Sequence, residues 1–184
     1  MTITDINKFV PQKNENFLID TNIWLYLFCP IGNYKEEQIK PYVNFFDKAI
    51  RNGSVFFISS IILSEFINRY LRIEFGILNL QKNNAFPDFK KDFRPSPEYK
   101  TVAAIIRSTL KQNILKITKS IDDCFSTLSI AQIVDSIEDI DFNDEYISHL
   151  SVHSKLKIVT NDADLKLTKS SPHLITANKR LLTS

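Results

Sequence analysis

Asp20 closes the short apolar run Phe17-Leu18-Ile19, and Asp162 stands two residues past a second such run, Ile158-Val159-Thr160. Aspartate is a poor strand residue and destabilises a fold when buried unpaired, so each either caps the next element or waits for a cation. Two further acids share this relation to β-prone runs. Glu65 falls about two turns into the helical pattern after Val55–Ser59, and Asp144 opens the helical pattern that precedes residues 156–160. Asp164 follows Asp162 by two residues. Singly, these acids read as an N-cap, a surface helix acid, a partner of the positive helix end and turn residues. Jointly those readings predict no common location, whereas parallel α/β wiring gathers strand ends at one edge. Carboxylates gathered there repel unless a cation sits between them, and hard divalent ions such as Mg²⁺ or Mn²⁺ take oxygen ligands. The chemistry these residues could do is that of a divalent-metal centre.

Such a centre needs strands that end together. The runs 17–20, 55–59, 156–160 and 173–176 are short, apolar and β-prone, and helical patterns separate them. Ile39, Val43, Phe46 and Ile50 recur at helical spacing before Gly53, and Ile61, Ile62, Phe66, Ile67 and Leu71 continue a helical rhythm to about Leu80. Helical patterns also run from Glu98 to about Lys116, with Pro97 placed for a first turn, and from Ser126 to Ile137. Asn143 or Asp141 can cap the next helix, which carries Ile147, Leu150 and Val152 inward. Alternating strands and helices predict an α/β sandwich with a mainly parallel sheet, where ligands sit beyond the carboxyl ends of the strands, near the point at which strand order reverses.

The 184 residues suit one domain, and 43% hydrophobic with 24% charged residues argues against disorder. Three glycines leave little material for a glycine-rich phosphate cradle. No basic start leads into an apolar leader and no window approaches a membrane span, so the expected location is the cytoplasm. Cys29 and Cys124 lack metal-ligand spacing and read as buried reduced thiols. His149 and His153, four apart, have no evident third nitrogen or sulfur ligand and read as solvent-facing or packing residues. Net charge is only +2, yet Arg72–Lys116 carries nine Lys/Arg against four acids while Ile117–Leu150 carries one against eight. Within the basic half, residues 83–100 hold three prolines and three phenylalanines, too proline-rich for a helix. Its rings suit packing against the body; Lys90, Lys91 and Arg94 among them also suit contact with single-stranded nucleic acid or a protein.

The motifs "IDTN" around Asp20, "SE" ending in Glu65, Asp144 opening its helix, "IVTNDADL" with Asp162 and Asp164, and "LITANKRLL" resemble, in order and strand context, the PIN-domain ribonucleases. Among these they look similar to VapC-type toxins of prokaryotic toxin–antitoxin pairs. The resemblance spans nearly the whole chain and implies a PIN-like three-layer α/β/α sandwich over 1–184, with a longer helical and loop insertion at about 81–120. It implies that Asp20, Glu65, Asp144 and Asp162 hold one or two Mg²⁺ or Mn²⁺ ions, with Asp164 a further acid and Asn22 and Thr160 polar supports. The implied activity is hydrolysis of RNA to 5′-phosphate and 3′-hydroxyl ends; Lys166, beside the last acids, joins Lys90, Lys91 and Arg94 as an RNA contact. The implied partners are RNA, an antitoxin and a second copy of the chain. Two rivals stand beside this reading. A silent PIN-like module would bind RNA or protein without cutting, which sits poorly with acids at all four positions. A phosphatase of the haloacid dehalogenase type needs a second acid where Asn22 stands.

Overall fold

A computed structural model describes residues 1–183. Six strands, β1 (Thr2–Asp5), β2 (Asn16–Ile19), β3 (Val55–Ile58), β4 (Thr118–Ser120), β5 (Lys157–Val159) and β6 (His173–Thr176), form one sheet in the order β1-β6-β5-β2-β3-β4. Every pairing is parallel. Eight helices connect and flank them: α1 (Thr21–Phe28), α2 (Glu36–Arg51), α3 (Ser60–Gln81), α4 (Pro97–Thr109), the single turn α5 (Leu115–Ile117), α6 (Ile130–Val134), α7 (Phe142–His153) and α8 (Lys179–Leu182). This is the expected α/β architecture, with the sheet wholly rather than mainly parallel.

The central strands are buried on both faces and read accordingly. Phe17, Leu18, Ile19, Ile158 and Val159 have no exposed surface. From β2 the chain moves outward through β3 to β4, then crosses back so that β5 and β6 extend the sheet on the other side, where the N-terminal β1 forms the edge. Strand order therefore reverses between β2 and β5, paired through Phe17–Lys157, Leu18–Ile158 and Ile19–Val159. Crevices form at such a point.

The structure corrects several details of the sequence reading. β1 and β4 are additional strands, and both lie at sheet edges. In α2 the inward face is Tyr42, Phe45, Phe46 and Ala49, while Val43 and Ile50 are exposed: aromatic rings rather than the aliphatic stripe fill the space against Phe17, Trp24 and Phe56. Val152 likewise faces outward. The helix expected over 126–137 is reduced to α6, with turns on either side. Cys29 is buried as expected, its thiol pushed up to about 11 by desolvation, but Cys124 is only half-buried.

The Phe/Pro segment packs inward. Phe86 and Phe93 join the core, and a π-helical turn over Phe89–Phe93 is capped by Asp88, whose carboxylate accepts from the amides of Lys90 (2.8 Å) and Lys91 (2.7 Å). Ser96 then caps α4 through the Tyr99 amide at 3.1 Å. Among the described residues, no helix is long and apolar enough to cross a membrane.

Candidate active site

Asp20 occupies the N-cap position of α1, yet its side chain makes no capping bond. The carboxylate turns instead toward the end of β5, where its Oδ2 accepts from Thr160 Oγ1 at 2.6 Å and from the side-chain Nδ2 of Asn22. Thr160 Oγ1 in turn accepts from the Asp162 amide at 2.9 Å, and Asn22 Oδ1 accepts from the Asn161 amide at 3.0 Å. Asn22 and Thr160 thus tie the ends of β2 and β5 together around Asp20. Tyr42 braces the same end from below: its hydroxyl donates toward Thr160 O (3.0 Å) and Asn161 Oδ1 (2.8 Å) and accepts from Ala177 N (3.1 Å).

Glu65 reaches this edge from the second turn of α3. Its Oε2 accepts from Thr21 Oγ1 at 2.9 Å, and its Oε1 pairs with Arg69 at 3.1 Å. Thr21 and Arg69 are contacts of Glu65 that the sequence reading did not single out. Arg69 was detectable, because residues four apart on a helix meet on one face. Asp144 sits in the first turn of α7, whose cap is Asp141, accepting from Asn143 N at 2.8 Å.

The electrostatics report that the four acids share one neighbourhood. Asp20, only 4% exposed, is raised from 3.8 to about 6, first by desolvation and then, against the Thr160 bond, by the charges of Glu65 and Asp162. Asp144 is raised to about 8, again by desolvation first, followed by Asp20, Asp162, Asp141 and Glu65. Burial and neighbouring acids thus make Asp20 and Asp144 harder to ionise, a condition a divalent cation relieves. Oxygen donors of this kind fit Mg²⁺ or Mn²⁺ in type and charge. Among the described residues, however, no three acidic, His or Cys side chains stand close enough together to grip an ion: Asp20 is held toward Thr160, and Glu65 is divided between Thr21 and Arg69.

Asp164 is exposed, its amide donating to Asp162 Oδ1 at 3.0 Å, and Lys166 is exposed in the following 3₁₀ turn. Lys90, Lys91 and Arg94 lie elsewhere. Their turn packs on Phe75 through Phe89 and Phe93, and Phe75 is ten residues past Glu65, about 15 Å along α3. His149 faces the fully buried Glu145 (3.0 Å), whose carboxylate also accepts from the Lys169 amide at 3.1 and 3.2 Å; His153 is exposed. Glu145 is a structural acid that the sequence did not distinguish from its neighbour Asp144.

Comparison with solved structures gives a fold likeness to the crystal structure of VapBC2 from Rickettsia felis bound to a DNA fragment from their promoter. The match has a TM-score of 0.51 at 17% identity, covering 88% of this chain and 98% of that one. No protein of curated function matches the sequence. The sequence model of the PIN domain, a family generally made up of nucleases, matches residues 17–170, from β2 past the last of the clustered acids. On that match, with the parallel sheet and the acids at its switch point, the chain belongs to the PIN domain family.

Proposed function

We propose that the protein is a metal-dependent endoribonuclease and the toxin of a toxin–antitoxin pair. The observation that carries the chemistry is the gathering of Asp20, Glu65, Asp144 and Asp162 near the strand-order reversal, where burial and the neighbouring acids raise the carboxyls of Asp20 and Asp144. These four, with Asp164 at the rim, would hold Mg²⁺ or Mn²⁺. A bound ion supplies hydroxide from water near neutral pH and neutralises charge building on the phosphodiester.

The protein's own groups have distinct tasks in this scheme. Thr160 and Asn22 donate to Asp20 Oδ2 and fix the direction of its other oxygen. Thr21 and Arg69 orient Glu65, and Arg69 brings a positive charge beside acids that otherwise repel an RNA backbone. Lys166, exposed beside Asp164, would contact the backbone near the acids, whereas Lys90, Lys91 and Arg94 would touch only RNA long enough to reach the far end of α3. The fold likeness to a toxin–antitoxin complex supports an antitoxin partner, and the PIN resemblance supports a homodimer.

The test is cleavage of a mixed RNA pool with Mg²⁺ or Mn²⁺, with EDTA, and with Asp20→Asn alongside. Loss of cleavage on chelation and on substitution is the expected result; metal-independent cleavage by Asp20→Asn overturns the assignment. One observation favours a second reading, a PIN-like module that binds without cutting: no three of the acids stand at gripping distance. Binding of RNA without cleavage in either metal would select it. Growth arrest on expression, and a dimer by light scattering at micromolar concentration, test the toxin and dimer readings.

A further inference from the structure

Next to the acids lies a cleft of about 300 Å³ lined by Leu25, Tyr34, Asn68, Arg69, Arg72 and Ile73. Asn68 also lines a second depression, with Ser60, Ser64, Glu65 and Asn143, so the two are neighbours that share Asn68 as a wall, and Glu65 lines the second. Three features suggest what the cleft receives. Tyr34 is half-buried and held at a fixed angle, with its ring 4.7 Å from Tyr26 in an edge-to-face contact. It also lies over Gly32: a Cβ there would stand 2.2 Å from the Tyr34 ring, so only glycine allows the ring this position. Arg69 belongs to both the cleft and the acids, through its 3.1 Å pair with Glu65. Arg72 is stacked on the Phe89 ring at 3.9 Å, which engages the face of the guanidinium and leaves its edge donors for an anion.

A preset aromatic ring, an amide side chain and two guanidinium groups match the base and phosphate of an unpaired nucleotide. A duplex, whose bases stack on each other, offers no base to the ring. We propose that this cleft is a subsite for a single-stranded ribonucleotide flanking the scissile bond, with Tyr34 stacking on the base, Asn68 contacting its edge, and Arg69 and Arg72 taking phosphates. This rests on the ribonuclease reading and assigns Tyr34, Asn68 and Arg72, which that reading leaves without a task, to the strand beside the scissile bond. It also gives the Phe/Pro segment an indirect role: Phe89 positions Arg72 rather than touching RNA itself.

The test is fluorescence anisotropy with a labelled single-stranded hexaribonucleotide in EDTA, with melting curves to confirm folding and cleavage of the same RNA in Mn²⁺ in parallel. Tyr34→Leu is expected to weaken binding about tenfold, and Tyr34→Phe to retain it within about twofold. Gly32→Ala leaves Tyr34 in the sequence but displaces its ring, and should match Tyr34→Leu. Arg72→Gln should lower the salt slope by about one. A hairpin duplex should bind more weakly than the single strand. If Tyr34→Leu, Gly32→Ala and Arg72→Gln all bind like the wild type while the wild type cleaves, the subsite is overturned and the ribonuclease reading stands. If binding depends on Tyr34 but nothing is cut, the subsite stands and the catalytic reading falls. A wild type that binds no single-stranded RNA overturns both.

Discussion

Replacing Asp20 by Asn should stabilise the metal-free protein at alkaline pH, an unusual expectation for a buried, hydrogen-bonded residue. Burial and the charges of Glu65 and Asp162 raise this carboxyl from 3.8 to about 6, so keeping it ionised in the fold costs about 3 kcal/mol at roughly 1.4 kcal/mol per pK unit. Only 4% of Asp20 is exposed, so solvent screens little of this. Asparagine keeps an oxygen to accept from Thr160, 2.6 Å away in the wild type, and sheds the charge. Because the folded pKa is raised, this carboxyl's contribution to stability is fully present below about 4 and lost as pH rises through about 6; Asp144 extends the loss to about 8. The expected gain from Asp20→Asn in EDTA at pH 8 is about 1–3 kcal/mol, or roughly 2–10 °C in Tm, and it should vanish near pH 4. Trp24, the only tryptophan, packed between Phe28 and Phe46 and four residues from Asp20, reports unfolding by its fluorescence. Mg²⁺ or Mn²⁺ at a hundredfold its Kd should raise wild-type stability by about 2.7 kcal/mol and the variant's by much less. An Asp20→Asn protein that is less stable than wild type at pH 8 in EDTA would refute the reasoning, because Asp20 would then be a structural hydrogen-bond partner rather than a strained charge.

Other perturbations separate supports from ligands. Thr160→Val removes the donor that lowers the Asp20 pKa and the acceptor of the Asp162 amide; RNA cleavage at pH 7 should fall at least about tenfold, with the acid limb of the pH–rate profile moved to higher pH. Apparent Mn²⁺ affinity, followed by titration calorimetry, should rise about tenfold per pH unit for each proton displaced between pH 6 and 8, where Asp20 and Asp144 lose their protons. Glu145→Ala leaves the Lys169 amide and His149 without their partner and opens a gap where Glu145 was buried, and should lower stability by about 1–3 kcal/mol in urea titrations, with metal affinity per folded molecule unchanged. Tyr42→Phe, which removes the hydroxyl joining Thr160, Asn161 and Ala177, should cost about 1–3 kcal/mol in the same assay.

The sheet's interior was legible in the sequence because β2, β5 and β6 bury nearly continuous runs, as burial on both faces does, and β3 is wholly apolar although Val55 and Phe57 stay partly exposed. The edge strands were not. Thr2–Asp5 and Thr118–Ser120 meet solvent along one side, so their side chains are mixed and their pairing with His173–Thr176 and Phe56–Ile58 is made chiefly by backbone, with one side-chain bond, Thr4 Oγ1 to His173 Nε2 at 2.9 Å. The positions of Asp20 and Asp162 could be read because they follow those apolar runs. What Asp20 does with its carboxylate could not, because Thr160 is 140 residues away and only the register of β2 against β5 brings it near. Glu145 and Asp144 are adjacent acids in one helical turn, and the helix's rotation alone decides that one is locked beneath the surface while the other reaches the cluster.

The pairing of β2 with β5 also sets a time. Asp20 leaves the ribosome early, but its Thr160 support and Asp162 follow about 140 residues later, about 7 to 30 seconds at ordinary synthesis rates. Throughout that interval a nascent chain holds Asp20 and Glu65 without the strand that completes the edge, beside the ribosome's own RNA. Long-range parallel pairing is slow to form even once the chain is free. The wiring that places the acids therefore also delays them: on the ribonuclease reading proposed above, the edge that would cut RNA is assembled only when nearly all of the chain has been made.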